Sequence, residues 1–155
     1  MGAFSIKNIA LLAIRIYLGY NFFFVAEQGG LAKWNWGAAG VAENLVMKIG
    51  SPFDMAPMAS AYLVLLAECI GPLAIMVGFQ AKVFGFLLTG CMVVACYAHM
   101  VLWGQGVDSI ITNKANVHGA GVYGLLAFLI MQLGAGGLSL DGLLRGSTKS
   151  GKKRE

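Results

Sequence analysis

Two groups of side chains in this sequence have the chemistry to handle protons or hold a ligand. The first is Glu68, set in the middle of "AYLVLLAECIGPLAIMVGF" (61–79), together with Arg15 in the apolar block near the start. A charge near a bilayer centre costs at least ~2.5–3.5 kcal/mol on insertion scales, so such residues pair or face water, and by default they mark function. A buried carboxylate beside a guanidinium can hold register between helices, hold a proton, or do both. The second group is Glu27, His99 and His118, near the opposite ends of their apolar blocks, with Tyr20, Asn21, Tyr97, Trp103 and Tyr123 at similar heights. Two imidazoles and a carboxylate suit a metal ion. Two histidines on facing helices suit the axial positions of a haem. Histidine and tyrosine can also hydrogen-bond the carbonyls of a quinone flanked by aromatics. No His-x-x-x-His spacing selects among these, and either histidine alone also serves as a helix cap at a membrane interface.

The elements that must position these residues are apolar helices. The chain has 155 residues, of which 58% are hydrophobic and 12% charged. Soluble domains carry roughly 25% charged residues, so half the usual supply is present. The apolar residues fall in four blocks, 8–26, 57–78, 82–103 and 117–133, and roughly 20 helical residues cross a bilayer. The first block contains Arg15 and ends without a small-x-small cleavage site, so it reads as a retained helix. The expected fold is an all-α membrane protein. It consists of a four-transmembrane-helix bundle over residues 1–144, with a short amphipathic helix in the first outer loop and a basic tail over 145–155.

That loop, 28–56, is too long for a plain connector. "KWNW" puts indoles near an interface, and Val41, Leu45, Val46 and Ile49 recur at helical spacing. A helix lying on the outer surface or capping the bundle is expected there. With four spans, Lys7, Arg15, Lys82 and the tail "RGSTKSGKKRE" share one side, while Lys33, Lys48 and Lys114 fall on the other. The positive-inside rule then puts both termini in the cytoplasm of a plasma or inner membrane. The tail reads as an orientation signal with affinity for anionic headgroups, not as a nucleic-acid site.

Counting along the helices places Glu68 about 15 Å and Arg15 about 12 Å from the cytoplasmic side. An Arg15–Glu68 pair between helices is therefore expected. Stripes of small or polar residues run down three spans: Ala61, Glu68, Gly71, Pro72 and Ile75; Gly85, Met92, Ala95, Cys96 and His99; and His118, Gly121, Leu125, Phe128 and Gln132. Small residues let helices approach in lipid. Cys69, Cys91 and Cys96 lie inside spans, and the last two face about 140° apart on one helix. They read as packing residues.

The segments "RIYLG" (15–19) with Phe22, "GLAK" (30–33), "AECIG" (67–71) followed by Gly78, and "GAGGLSLDGLL" (134–144) resemble, in order, the DoxX family of small membrane proteins. The resemblance implies a four-helix bundle and carries over Arg15, Glu68, Gly71, Ser139 and Asp141, with His99 matching a histidine late in the family's third helix. His118 departs from the pattern, where an acidic residue is more usual. The family's name comes from the small subunit of a thiosulfate:quinone oxidoreductase. The resemblance thus implies an integral membrane subunit of a quinone-linked oxidoreductase system, with Glu68 and Arg15 as a proton-linked pair and His99, His118 and Glu27 near a quinone head. No nucleotide, flavin or iron–sulfur motif is present, so electrons would come from partner oxidoreductase subunits or a bound cofactor. The competing class is a non-catalytic membrane scaffold or assembly module of a larger complex. Transport by four spans would need a homo-oligomer to form a pathway.

Overall fold

The computed structural model describes residues 5–50, 55–104, 106 and 116–144. Among these every regular element is helical. Helix α1 spans Ile6–Val25, and α2 (Gly30–Val41) runs on through Ala42–Val46 to Met47–Ile49. Helix α3 spans Pro57–Val77 and α4 spans Ala81–Leu102. Helix α5 covers Asn116–Leu133, and a last short helix occupies 140–144. Three of these, α1, α3 and α4, are long and apolar enough to cross a membrane. The apolar part of α5, His118–Leu133, is shorter. Lys114 and the basic tail 145–155 lie outside the described residues.

Local chemistry sets the boundaries. Ser5 Oγ accepts the Asn8 N–H at the start of α1, at 3.4 Å, and Pro57 occupies the first turn of α3, where its missing N–H costs nothing. Helix α3 stops at Gly78, which takes the left-handed conformation at φ 75°. The Gly78 N–H then bonds Ile75 O and the Phe79 N–H bonds Ala74 O, a Schellman closure of the helix.

The tightest packing joins α4 and α5. Gly85 lies against the backbone of Ala127 and Met131, and Gly124 lies against Met92. Leu88, Met92, Ala120, Ala127 and Ile130 fill the seam, joined by Leu18 and Phe22 of α1 and Ile75 of α3. The small-residue stripes expected on the second and third spans face inward as predicted. The stripe expected on the fourth does not: Leu125 and Phe128 are exposed, and Ala120, Ala127 and Ile130 are buried instead. A helix that is apolar all round carries no phase to read.

Helix α2 also departs from expectation. It begins at Gly30, well before the Val41 to Ile49 stretch expected to lie on the outer surface or cap the bundle, and is kinked at Gly37. Val41, Ala42 and Val46 are buried against Ala61, with Val64 and Leu65 of α3 packed alongside. It is therefore docked along the bundle. The register of these helices is informative. Gly19 of α1 lies against Pro72 and Met76 of α3, and Gly30 lies against Phe23 and the Glu68 carbonyl. So α1 ends level with the middle of α3, and α2 continues from there along the half of α3 nearer Pro57.

The Gly78 end is closed by the segment after α5. Asp141 accepts the N–H groups of Gln80 at 2.9 Å and Ala81 at 3.1 Å, capping α4 from a distant part of the chain, and its own N–H bonds Gly78 O at 2.9 Å. Asn8 accepts the Gly137 N–H at 3.0 Å. Replacing Asp141 with Ala frees two donors at a helix N-terminus and should cost about 0.5–2 kcal/mol. Asp141→Asn should cost less, which chemical denaturation in detergent micelles would resolve.

Candidate functional site

The middle of α3 is where the sequence places its carboxylic acid, and the structure supplies the partner from α2. Lys33 Nζ lies 2.7 Å from Glu68 Oε2, with the two side chains 8% and 6% exposed. Lys33 also donates to the Gln28 carbonyl. Gly30 makes this approach feasible, because a Cβ at that position would collide with the Phe23 ring and the Glu68 carbonyl. The Cys69 thiol donates to the Gly30 carbonyl at 3.2 Å and pins the same contact from the α3 side. The close fit of α2 onto α3 thus delivers an ammonium group to a carboxylate in an otherwise apolar interior.

The expected Arg15–Glu68 pair is not formed. Arg15 is fully buried, but its Nη2 donates to Leu138 O at 2.5 Å. It sits beside Gly78 and Ser139, where a Cβ on Gly78 would collide with Arg15 Nη1 and Ser139 Cβ. The depth count fails because α1 and α3 do not start from the same level. With Gly19 beside Pro72 and Met76, Arg15 falls at the α3–α4 turn, while Glu68 stands about 14 Å from Val77. Arg15 therefore holds the segment after α5 against the turn.

The Lys33–Glu68 pair forms part of the wall of a cavity of ≈ 680 Å³ bounded by all five main helices. That size falls within the roughly 300–1,000 Å³ typical of small-molecule sites. Phe22, Leu63, Val64, Phe86, Met92 and Tyr123 supply apolar wall, with the Phe22 and Tyr123 rings meeting edge to face at 5.1 Å. The polar groups are few. Besides the ion pair they include Glu27, Gln28, Ser60 and His99. Ser60 Oγ and His99 Nδ1 are buried without a hydrogen-bond partner, a costly condition in an interior unless something else satisfies them. The His99 ring lies tilted against Trp103, with ring centres 4.6 Å apart.

Four π-helical turns border this cavity. They are Asn21–Val25, Ala42–Val46, Leu66–Ile70 and Ala98–Leu102, and they contribute Phe22, Leu45, Val46, Ala67, Glu68 and His99 to its wall. A π turn inserts one residue into a helix, re-aims the side chains beyond it, and is frequent at functional sites.

Of the residues singled out from sequence, Glu68, Glu27 and His99 line the same cavity. His118 is partly buried in the first turn of α5 and is not among the lining residues, although Gly119 and Ala120 are. Among the described residues no three His, Cys, Asp or Glu side chains converge to hold a metal ion. Lys33 is the residue sequence reasoning missed. Its charge alone groups it with the outward lysines, and its signals in the sequence are the preceding glycine pair, the apolar residues around it and its place at the end of the "GLAK" segment. Cys91 lines the cavity as a free thiol, and Cys69 and Cys96 are also unpaired.

These features define a membrane protein, helical throughout its described residues, with an apolar cavity between its helices and a buried ion pair on its wall. The family model DoxX matches residues 10–101, and the chain belongs to that family. The match includes Arg15, Lys33, Glu68, Gly78 and His99, and it ends before the 134–144 segment that Arg15 holds. No curated protein and no solved structure matches the chain.

Proposed function

We propose that this chain is the integral membrane subunit of a quinone-linked oxidoreductase system and that its cavity receives the quinone ring. The observation that carries this reading is the Lys33–Glu68 pair on the wall of a largely apolar cavity. Such a cavity suits a flat ring with carbonyl oxygens. It offers apolar and aromatic wall for the faces and a few convergent donors for the oxygens. A bound quinone supplies an acceptor for two electrons and two protons.

Lys33 has three N–H donors and spends two on Glu68 and Gln28, which leaves one for a ring carbonyl. Glu68 keeps the ammonium in place; if Lys33 gives a proton to a reduced ring oxygen, Glu68 can refill the amine once it has itself taken up a proton. His99 and Glu27 line the same space and offer a second proton path. Electrons come from a partner subunit. The membrane arrangement is part of the same proposal. In this reading α3, α4 and α5 each cross the bilayer, and α1 and α2, set end to end beside α3, make one broken crossing with both termini cytoplasmic. The break, Ala26–Gly29, lines the cavity, the condition under which non-helical backbone is tolerated at membrane depth.

Titration of the purified protein with a tail-less benzoquinone, read by calorimetry or by tryptophan fluorescence, tests the site. Wild type should bind, and Lys33→Met should weaken binding about tenfold or more, the worth of a hydrogen bond from a charged donor. His99→Ala should weaken it less, and His118→Ala should leave it nearly unchanged. Absence of binding by wild type would sink the reading and leave a scaffold role in its place.

A further inference from the structure

We infer that the cavity is loaded sideways from the hydrocarbon layer, through an opening between α3 and α4, and that its occupant carries an apolar tail lying in that opening. This rests on the quinone reading for the head of the molecule. It goes further in fixing how the ligand arrives and which residues select for a tail.

The opening follows from how the two helices diverge. Contacts between α3 and α4 concentrate on the half of α3 from Leu66 to Val77, next to the turn that joins them. Beyond Glu68, α3 turns to α2, burying Ala61 against Val41 and Val46, while α4 stays on α5 through Met92. The cavity occupies the space left between them, and it reaches the outside of the bundle. Phe86, Val94 and Leu63 line it and are also 64%, 40% and 37% exposed. All three are apolar, and they sit on helices that are long and apolar enough to cross a membrane. The lips of the opening therefore suit hydrocarbon, not water.

Gly90 marks the threshold. It lines the cavity, and a Cβ built on it meets no atom within 4 Å. It stands about 14 Å from Ala81 along α4, the same rise that separates Glu68 from Val77 on α3. The polar wall and the opening are thus at one level of the bundle. A head group resting on Lys33 and Glu68 would have its tail directed out past Gly90 among the lipid chains. Because a tail gains little by leaving lipid for an apolar groove, the opening discriminates by shape. It can pass a flexible chain and has no need to bind it tightly.

The experiment compares two ligands on three proteins in detergent micelles: decyl-tailed benzoquinone and the same ring without a tail, on wild type, Gly90→Ala and Gly90→Trp. The open space at Gly90 and its exposed position on α4 mean that both variants should fold, which melting curves would verify. Gly90→Trp should weaken binding of the tailed ligand about tenfold or more while changing the tail-less ring less than about threefold. Gly90→Ala should bind both as wild type does. Equal loss of both ligands in Gly90→Trp would mean that the indole fills the ring site and that the tail does not use this opening. No loss of either would also overturn the inference, while the quinone reading would stand. Failure of wild type to bind either ligand would remove the quinone reading, and the inference with it.

Discussion

Glu68→Ala should lower the stability of the bundle by an amount on the order of 3–5 kcal/mol, the usual result of stripping one partner from a buried ion pair. The loss comes mainly from what is left behind. Lys33 would keep its ammonium in an apolar wall with only the Gln28 carbonyl to accept from it. Replacing both partners with apolar residues, Lys33→Met with Glu68→Leu, should recover much of that loss, since neither charge then remains to be desolvated. Arg15→Met with Glu68→Leu should not recover it. Arg15 is bonded to Leu138 at the far end of α3, and the two losses should add. Melting curves of wild type and the three variants in one detergent decide the matter. Rescue by the Arg15 double variant instead of the Lys33 one would show that the ion pair is assigned to the wrong cation. Equal melting of Glu68→Ala and the Lys33 double variant would show that the pair contributes little to folding.

Gly78→Ala should be nearly as damaging, although it adds only a methyl group. Forcing a residue with a Cβ into the left-handed conformation at φ 75° costs roughly 1–2 kcal/mol. The added carbon would also strike Arg15 Nη1 and the Ser139 side chain, which are packed against the turn. Relieving the collision means displacing Arg15 from Leu138 O and loosening Asp141 from the Gln80 and Ala81 N–H groups. A melting temperature within a degree or so of wild type would show that the 134–144 segment is not clamped there. Arg15→Lys is the informative companion. It keeps the charge but not the reach or geometry of the guanidinium, and it should fall between wild type and Arg15→Met.

The error over Arg15 shows where sequence reading stops. Counting residues from the ends of two spans assumes that both begin at one level, and nothing in the spacing of apolar residues tests that assumption. The offset is set by Gly19 closing onto Pro72 and Met76, a contact between residues far apart in the chain. The same offset lets α2 occupy the half of α3 that α1 does not reach, which is how Lys33 becomes the partner of Glu68. The stripes tell a similar story. Ala61, Glu68 and Ile75 could be phased because Glu68 and its small neighbours mark one face of α3. Helix α5 is uniformly apolar, and Leu125 and Phe128 turned out to face away from the core.

The sequence by itself determined that the protein is helical and built for a membrane, because long apolar runs with few charges have no other stable use for their backbone. It determined the DoxX family, through short motifs met in a fixed order. It also marked Glu68 with Arg15, and Glu27 with His99 and His118, as candidate groups, since titratable side chains in or beside such runs are costly unless paired or wet. Only the tertiary structure decided which cation meets Glu68, that Arg15 clamps the segment after α5, and that the helices part around a cavity. Those outcomes depend on helix register and on close approaches at Gly19, Gly30 and Gly78. They are set by contacts between distant residues, to which local hydrophobic periodicity is blind.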